Sequence, residues 1–552
     1  MQLVRDASER GDATMTASEP ERAFVLGLDG VPWSLVEKWM DEGELPTFER
    51  LRREGAAGPF ESTVPANTPV AWPSIATGCD PAGHGLFEFM KLNRQYGQRP
   101  NTGADRTRPA VWDMVSPAVV GNVPMTFPAR EFDGEMAAGM MTPEGASEFT
   151  YPSELGEAID REIPDYSIGL DWKEYFGRQE AFLDALDGLL SDRRELMRLL
   201  LDRTDWRLSF FVYTAPDRLQ HLIWDEAVLK AHYKKLDDLL AEVVERCEET
   251  NAVLFVVSDH GFGPVSRQVN VNEILRREGL IAREEQGGVR GLMSAAGFDK
   301  DNVLAALKRV GIDDDTLVRY LPEGVISQAA SRVPGNHALY DADFSQTQAF
   351  LHGLGSVYVN DTARFASGTV PPAEIPTVKR RVTEILESVR DPETGEQPLV
   401  VVDPDHGTPD QNGAGHDASD PDSALEPDLL VESANGYTVN WQFADEPFSV
   451  PEKAADHESE GIFFAHGPGI AAGSRPAAAS VVDLVPTLLH LLDLPVPSHA
   501  DGAVLEEILA TQLSAAERPV RTADYDAGEP QEAVDGDFDE VEDRLRGLGY
   551  ME

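Results

Sequence analysis

Four short clusters carry residues able to do chemistry, and they follow one another along the chain. They are Gly27-Leu28-Asp29-Gly30, Thr68 ahead of Ala76-Thr77-Gly78, Asp217-x-x-x-His221, and Ser258-Asp259-His260-Gly261. His457, just before the apolar run Ile462-Phe463-Phe464-Ala465, makes a fifth member. Together they supply Asp29, Asp217 and Asp259, then His221, His260 and His457, and one hydroxyl. Carboxylate and neutral imidazole suit Zn²⁺ or Mn²⁺, and two such ions side by side clamp both oxygens of an in-line displacement. The set is large enough for two divalent ions and a nucleophile. Asp217 and His221 stand at i and i+4, so a helix sets both on one face. Asp259 and His260 are neighbours, which point apart on any regular element, so joint ligation requires a turn. Each cluster alone is an ordinary surface pair or strand-end turn; the meaning lies in their joint occurrence.

Each cluster lies at or just beyond a strand-like run, and those runs must position it. Ala23–Leu28 is a short apolar run ending in Asp-Gly, the pattern of a buried strand. Helices are expected at Trp33–Met40 and Pro46–Glu54, a strand at Pro59–Val64, and a short helix at Trp72–Thr77. Ala118–Asn122, Leu208–Tyr213 and Val253–Val257 read as strands, Asp217–Trp224 and Glu226–Cys247 as helices. Strands alternating with helices predict an α/β fold, a mostly parallel central sheet covered on both faces. In such sheets ligands bind beyond the carboxyl ends of the strands, where Asp29, Asp217 and Asp259 all fall.

The remaining chain divides by pattern. Residues 1–21 read as a disordered leader, 22–284 and 451–514 as the α/β core, 285–450 as an inserted cap returning to the core, and 515–552 as an acidic tail. Within the insertion, an amphipathic piece is expected near Lys300–Val310, a strand at Ser356–Asn360 and a helix at Pro376–Val389, with a polar loop at Asp403–Asp422. The core is expected to resume at Leu429-Leu430-Val431, followed by strand Gly461–Ala465 and helix Val481–Leu492; a short helix is expected at Glu540–Leu548.

Composition narrows the function classes. The 97 acidic against 47 basic residues give a formal charge of −50 over 552 residues. Such a surface repels nucleic-acid backbones and anionic membranes, since polyanion binding needs clustered Lys and Arg. The acidic residues are interleaved with regular apolar periodicity, so the charge reads as a halophilic surface rather than disorder. At molar salt the Debye length falls to about 3 Å and self-repulsion is screened. Cys79 and Cys247 form neither a disulfide framework nor a zinc-finger spacing and read as core residues. No secretory signal and no apolar run near the roughly 18 residues of a membrane span is present, so a soluble cytoplasmic protein is expected.

Taken together, the motifs resemble the type I phosphodiesterase / nucleotide pyrophosphatase family of the alkaline phosphatase superfamily. The matching stretches are GLDG at 27–30, Thr68 before Thr77-Gly78, Pro81-Ala-Gly-His-Gly85, PDRLQH at 216–221, SDHGFGP at 258–264 and EGIFFAHGPGI at 460–470. The resemblance covers about residues 23–510 and implies an alkaline-phosphatase-like fold with an inserted cap. It implies that Asp29, Thr68, Asp259 and His260 surround one divalent ion and Asp217, His221 and His457 the other. Zn²⁺ is the favoured ion and Mn²⁺ the other candidate. It implies Thr68 as nucleophile and a covalent phosphothreonine intermediate. The implied partner is a small phosphorylated substrate, of nucleotide or nucleotide-sugar type, with neither nucleic acid nor membrane; the oligomeric state stays open. Alternatives on the same fold are a phosphomonoesterase, a phosphomutase, a sulfatase-like hydrolase or a non-catalytic metal-binding homologue.

Some positions depart from the family pattern. Many members place an Asn three residues after the nucleophile, where it helps hold a phosphoryl oxygen; here that residue is Ala71. Backbone N–H groups near Thr68 are one replacement. Asn67 is read as a turn former. His406 and His466 compete with His457, which precedes its strand by the expected few residues, and Asp456 is read as a partner for that ligand. His84 is expected to make a structural hydrogen bond. Arg267 is read either as reaching a phosphate oxygen or as an idle exposed charge.

Overall fold

A computed structural model describes residues 19–143, 145–170, 175, 177–283, 342–404, 425–526, 538 and 541–542. The leader to residue 18, the piece at Lys300–Val310, His406 and most of the expected tail helix lie outside the described residues. Nine strands build the central sheet: β1 (Arg22–Leu28), β2 (Ala56–Glu61), β3 (Ala118–Gly121), β4 (Gly134–Ala137), β5 (Thr150–Tyr151), β6 (Leu208–Tyr213), β7 (Ala252–Val257), β8 (Glu460–His466) and β9 (Ala479–Ser480). Their spatial order is β9-β2-β8-β7-β1-β6-β3-β4-β5. β1 runs parallel to β6 and β7, β3 parallel to β6 and β4, and β2 parallel to β9. β8 opposes both its neighbours and β5 opposes β4. This is the α/β, mostly parallel sheet that the alternating pattern predicts.

The central strands are buried on both faces, which is why they read as continuous apolar runs rather than alternating ones. Alternate residues nonetheless serve different cores. Phe24, Leu26 and Leu28 of β1 and Leu254 and Val256 of β7 pack with Trp39, Phe48, Leu196 and Leu240. These come from helices Trp33–Asp41, Pro46–Glu54, Gln179–Arg203 and Glu226–Thr250. Ala23, Val25, Val253, Phe255 and Val257 face the other way, against Trp72, Ile75 and Leu488 of helices Thr68–Thr77 and Leu484–Leu491. The period of two along a strand thus divides one sheet between two helical layers.

Several elements differ from the sequence expectation. β2 lies three residues earlier than Pro59–Val64, with Pro59 inside it. The helix expected at Trp72–Thr77 begins already at Thr68, with Pro69 in its first turn, where a missing N–H costs nothing. Leu429–Val431 does not return to the core sheet. It lies in strand Leu429–Ser433 of a second, four-stranded antiparallel sheet with Ala349–His352, Ser356–Val359 and Leu399–Val402. Helix Ile375–Ser388 packs there through Val382 and Leu386 against Phe350 and Val357. Among the described residues no helix is long and apolar enough to cross a membrane.

Candidate active site

The candidate residues assemble at the carboxyl edge of the central strands. Asp29 follows β1, Asp217 sits in the first turn of helix Ala215–Leu222 after β6, Asp259 and His260 follow β7, and Thr68 opens the helix after β2. His457 reaches the same edge by the opposite route. Because β8 runs antiparallel to β7, the residues just before it lie at β7's carboxyl end. Strand Ala455–Glu458 there pairs with Gly261–Pro264. His466, at the far end of β8, pairs opposite Leu254 and is thereby removed from the site. Gly30 permits the close approach of the Asp29 and Asp217 segments: its φ is +70°, and a Cβ would lie 3.0 Å from Asp217 Cβ.

Two candidate ligand trios result. Asp29, Asp259 and His260 offer donor atoms within 4.8 Å of one another, and so do Asp217, His221 and His457. In the first, His260 Nε2 lies 3.3 Å from Asp259 Oδ2 and 3.8 Å from Asp29 Oδ1. In the second, Asp217 Oδ1 is 3.3 Å from Nε2 of both His221 and His457, whose Nε2 atoms are 3.1 Å apart. The His260 and His457 rings stack with centroids 3.9 Å apart, so the trios are immediate neighbours. Thr68 Oγ1 stands 3.5 Å from Asp29 Oδ1 and 3.4 Å from His260 Nε2.

Supporting hydrogen bonds orient these donors. His260 Nδ1 donates to the Gly261 carbonyl at 2.9 Å, and His457 Nδ1 to the Ala66 carbonyl at 3.1 Å. That assignment leaves each Nε2 lone pair facing its trio. Asp29 Oδ2 accepts from the Trp72 indole at 3.1 Å, Asp259 Oδ1 from Gly30 N at 3.2 Å, and Asp217 Oδ2 from Arg218 Nη1 at 3.1 Å. The backbone is pinned as well: Ser258 Oγ accepts from Val31 N and donates to His260 O, and Ser62 Oγ donates to Asp259 O.

The arrangement fits divalent cations. Among the described residues Asp259 Oδ2 is buried without a hydrogen-bond donor, and two imidazole lone pairs converge with a carboxylate oxygen. Burial, then the charges of Asp259 and Asp217, pushes Asp29 well above the ordinary carboxylate range. Burial pushes Asp259 the same way, against the Gly30 N–H bond. Burial, with His457, brings His260 down to about 4 and so keeps it neutral. Burial also opposes ionisation of Asp217, but His221, His457 and Arg218 hold it well below the usual range. Three buried carboxylates and three imidazoles at one edge are electrostatically mismatched until positive charge is added.

The other candidates are placed elsewhere. Asp456 does not serve His457: it pairs with Lys453 at 2.7 Å and Thr438, and the Ala66 carbonyl takes the ligand's Nδ1. Arg267 is held by Asp391 at 3.2 Å and Glu393 at 2.9 Å, so neither reading of it as a phosphate ligand nor as an idle charge stands. His84 is buried with Nε2 2.9 Å from Ser74 Oγ, the structural role expected of it. Cys79 and Cys247 are buried and unpaired as thiols. Trp72 and Ala66 escape a sequence reading, since they act across 43 and 391 positions.

Human ectonucleotide pyrophosphatase / phosphodiesterase 5 is 13% identical, covers 89% of this chain and 100% of its own, and superposes with a TM-score of 0.45. The murine counterpart, as an inactive threonine-to-alanine variant in complex with AMP, gives the same 13%, 89%, 100% and 0.45. No curated protein matches the chain. The family model described as type I phosphodiesterase / nucleotide pyrophosphatase matches residues 23–462, which span every candidate residue from Asp29 to His457. The chain therefore belongs to the type I phosphodiesterase / nucleotide pyrophosphatase family of hydrolases.

Proposed function

We propose that the protein is a two-metal phosphohydrolase that cleaves phosphodiester or pyrophosphate bonds of nucleotide or nucleotide-sugar substrates through a covalent phosphothreonine intermediate. The observation that carries this reading is the position of Thr68 Oγ1, 3.5 Å from Asp29 and 3.4 Å from His260, beside two stacked ligand trios. Asp29, Asp259, His260 and Thr68 would hold one ion, and Asp217, His221 and His457 the other. When bound, divalent ions of this kind act as Lewis acids on phosphoryl oxygens and lower the pKa of a hydroxyl or water. The mixed carboxylate and imidazole set favours Zn²⁺, with Mn²⁺ also compatible.

The chain's own residues then divide the work. Thr68 loses its hydroxyl proton, and Oγ1 attacks phosphorus. The bond from phosphorus to the leaving oxygen breaks, and that oxygen departs with the electron pair and takes up a proton. For a diester the threonine-bound phosphate retains its second alcohol. Water then splits the Thr68–phosphorus ester and restores the hydroxyl. The Gly261 and Ala66 carbonyls keep His260 and His457 in the tautomer whose Nε2 carries the lone pair an ion would take. We place this chemistry in the cytoplasm of a halophile, in keeping with the charge of −50.

The test is hydrolysis of a bis-aryl phosphodiester and an aryl phosphomonoester in molar KCl, with Zn²⁺ or Mn²⁺ restored to chelated protein. Activity should depend on metal, favour the diester, and fall by at least about 10³-fold in Thr68→Ala. Preference for the monoester would replace the diesterase reading, and full activity in Thr68→Ala would remove the nucleophile.

A further inference from the structure

Displacement at phosphorus puts charge on the non-bridging oxygens, and donors aimed at those oxygens act before the bond breaks. At Ala71 a methyl group stands where a donor would be useful, so the source of that hydrogen bond has to be found among its neighbours. The backbone of residues 69–71 cannot supply it. Position 69 is proline, and the N–H groups of Val70 and Ala71 are both spent on the Asn67 carbonyl, at 3.1 and 2.9 Å.

Asn67 stands out in this stretch. It is 2% exposed, and neither Oδ1 nor Nδ2 of its side chain has a hydrogen-bond partner among the described residues. It occupies the N-cap of helix Thr68–Thr77 with extended backbone (φ −151°, ψ 156°), yet its side chain makes no capping bond. A turn or cap role would show that bond. A buried amide lacking all its partners is rare in folded proteins and calls for a reason. Its neighbours supply one. The Ala66 carbonyl accepts from His457 of one trio, and Thr68 Oγ1 touches Asp29 and His260 of the other. Asn67 is therefore the residue at which the chain passes from one trio to the next, directly before the Thr68 hydroxyl.

We propose that the Asn67 side-chain amide donates to a non-bridging phosphoryl oxygen of the substrate and so replaces the donor missing at Ala71. This rests on Thr68 being the nucleophile. The role is phosphate binding that strengthens as charge develops, so it belongs mainly to kcat.

The experiment compares the wild type with Asn67→Ala, Asn67→Asp and the double variant Asn67→Ala/Ala71→Asn, all loaded with Zn²⁺. Five quantities are read: metal content, Tm, affinity for orthovanadate by calorimetry, and kcat and KM on the bis-aryl diester. Asn67→Ala should keep its metal and an equal or higher Tm, because it removes an unpartnered buried amide. It should lose about 10²- to 10³-fold in kcat and bind vanadate more weakly. Asn67→Asp, of equal size but without the donor, should lose at least as much. The double variant should recover part of both losses. Wild-type kcat and vanadate affinity in the two single variants would overturn the assignment, as would a fall in Tm and metal content accounting for the whole loss. A wild type that neither binds vanadate nor turns over would instead bring down the Thr68 reading, and this inference with it.

Discussion

Trp72 acts on the candidate centre at one remove. Its indole N–H donates to Asp29 Oδ2 at 3.1 Å, and room for the ring comes from Gly27, where a Cβ would lie 2.3 Å from the Trp72 ring. Trp72→Phe keeps most of the packing and deletes the donor. Supporting hydrogen bonds of this kind typically govern metal affinity by one or two orders of magnitude. The variant should therefore bind Zn²⁺ roughly 10- to 100-fold more weakly in chelator competition, with Tm little changed. Unaltered affinity would reduce the indole to a packing role. At this scale Asp29, Asp217, His221, Asp259 and His260 are legible as candidates because each travels in a short local motif, whereas His457 is singled out only by its place before a strand. Trp72, Ala66 and the lone amide of Asn67 are not legible, because their significance is a long-range contact or its absence. Asp456 misled because adjacency in sequence suggested a contact that Lys453 and Thr438 take instead.

Glu88 ties two elements together and should make stability depend on pH. It is buried, and its Oε1 accepts from Leu354 N at 2.9 Å and Ser356 Oγ at 3.2 Å, joining the core to the strand Ser356–Val359 of the second sheet. Burial raises its pKa to about 8 against an ordinary 4.5. Between those values the folded protein holds a proton that the unfolded chain has lost, so this group's contribution falls as pH rises through the window. The loss is at most about 1.4 kcal/mol per pH unit and levels off above the folded pKa. Glu88→Gln should flatten that slope and stabilise the protein at pH 8, as read from urea midpoints at pH 5 and 8. A slope equal to the wild type would exclude Glu88 as its source. Elements were readable where burial was one-sided or the run long, as in Leu208–Tyr213 and Pro46–Glu54, which match their expected bounds. β4 and β5 carry too little pattern to detect, since Gly134–Ala137 opens on Gly-Glu and Thr150–Tyr151 is two residues long. The run Leu429-Leu430-Val431 belongs to the second sheet rather than to the core, and a buried apolar run looks alike in either. Helix Gln179–Arg203 is absent from the sequence expectation although its buried Phe182, Leu186, Leu189, Leu196 and Leu200 keep helical spacing.

The formal charge of −50 belongs to the molecule as a whole. Self-repulsion among surface carboxylates reaches about 10 Å at 0.1 M salt and about 3 Å at 1 M. Stability should rise steadily with KCl into the molar range, with Tm climbing by several degrees, since in a chain this size each kcal/mol shifts Tm by roughly one degree. A Tm that is flat or falls with KCl would show that the acidic surface is not a halophilic adaptation. The sign and size of the charge were legible from composition alone. The mostly parallel sheet was legible from the alternation of strands and helices, and the reversed direction of β8, which delivers His457 to the site, was not. That reversal is set by pairing between β7 and β8 across about 200 positions of chain, which no local pattern encodes.

The central claim is that Thr68 forms a bond to phosphorus, and acid-quenched protein after brief exposure to a phosphodiester tests it most directly. Intact-protein and peptide mass spectrometry should find a mass gain equal to the transferred phosphoryl ester, located on Thr68 and absent from Thr68→Ala. Rapid turnover with no adduct at Thr68 at any quench time, and with substrate-derived phosphorus never bound to protein, would contradict the account and leave direct attack by water in its place.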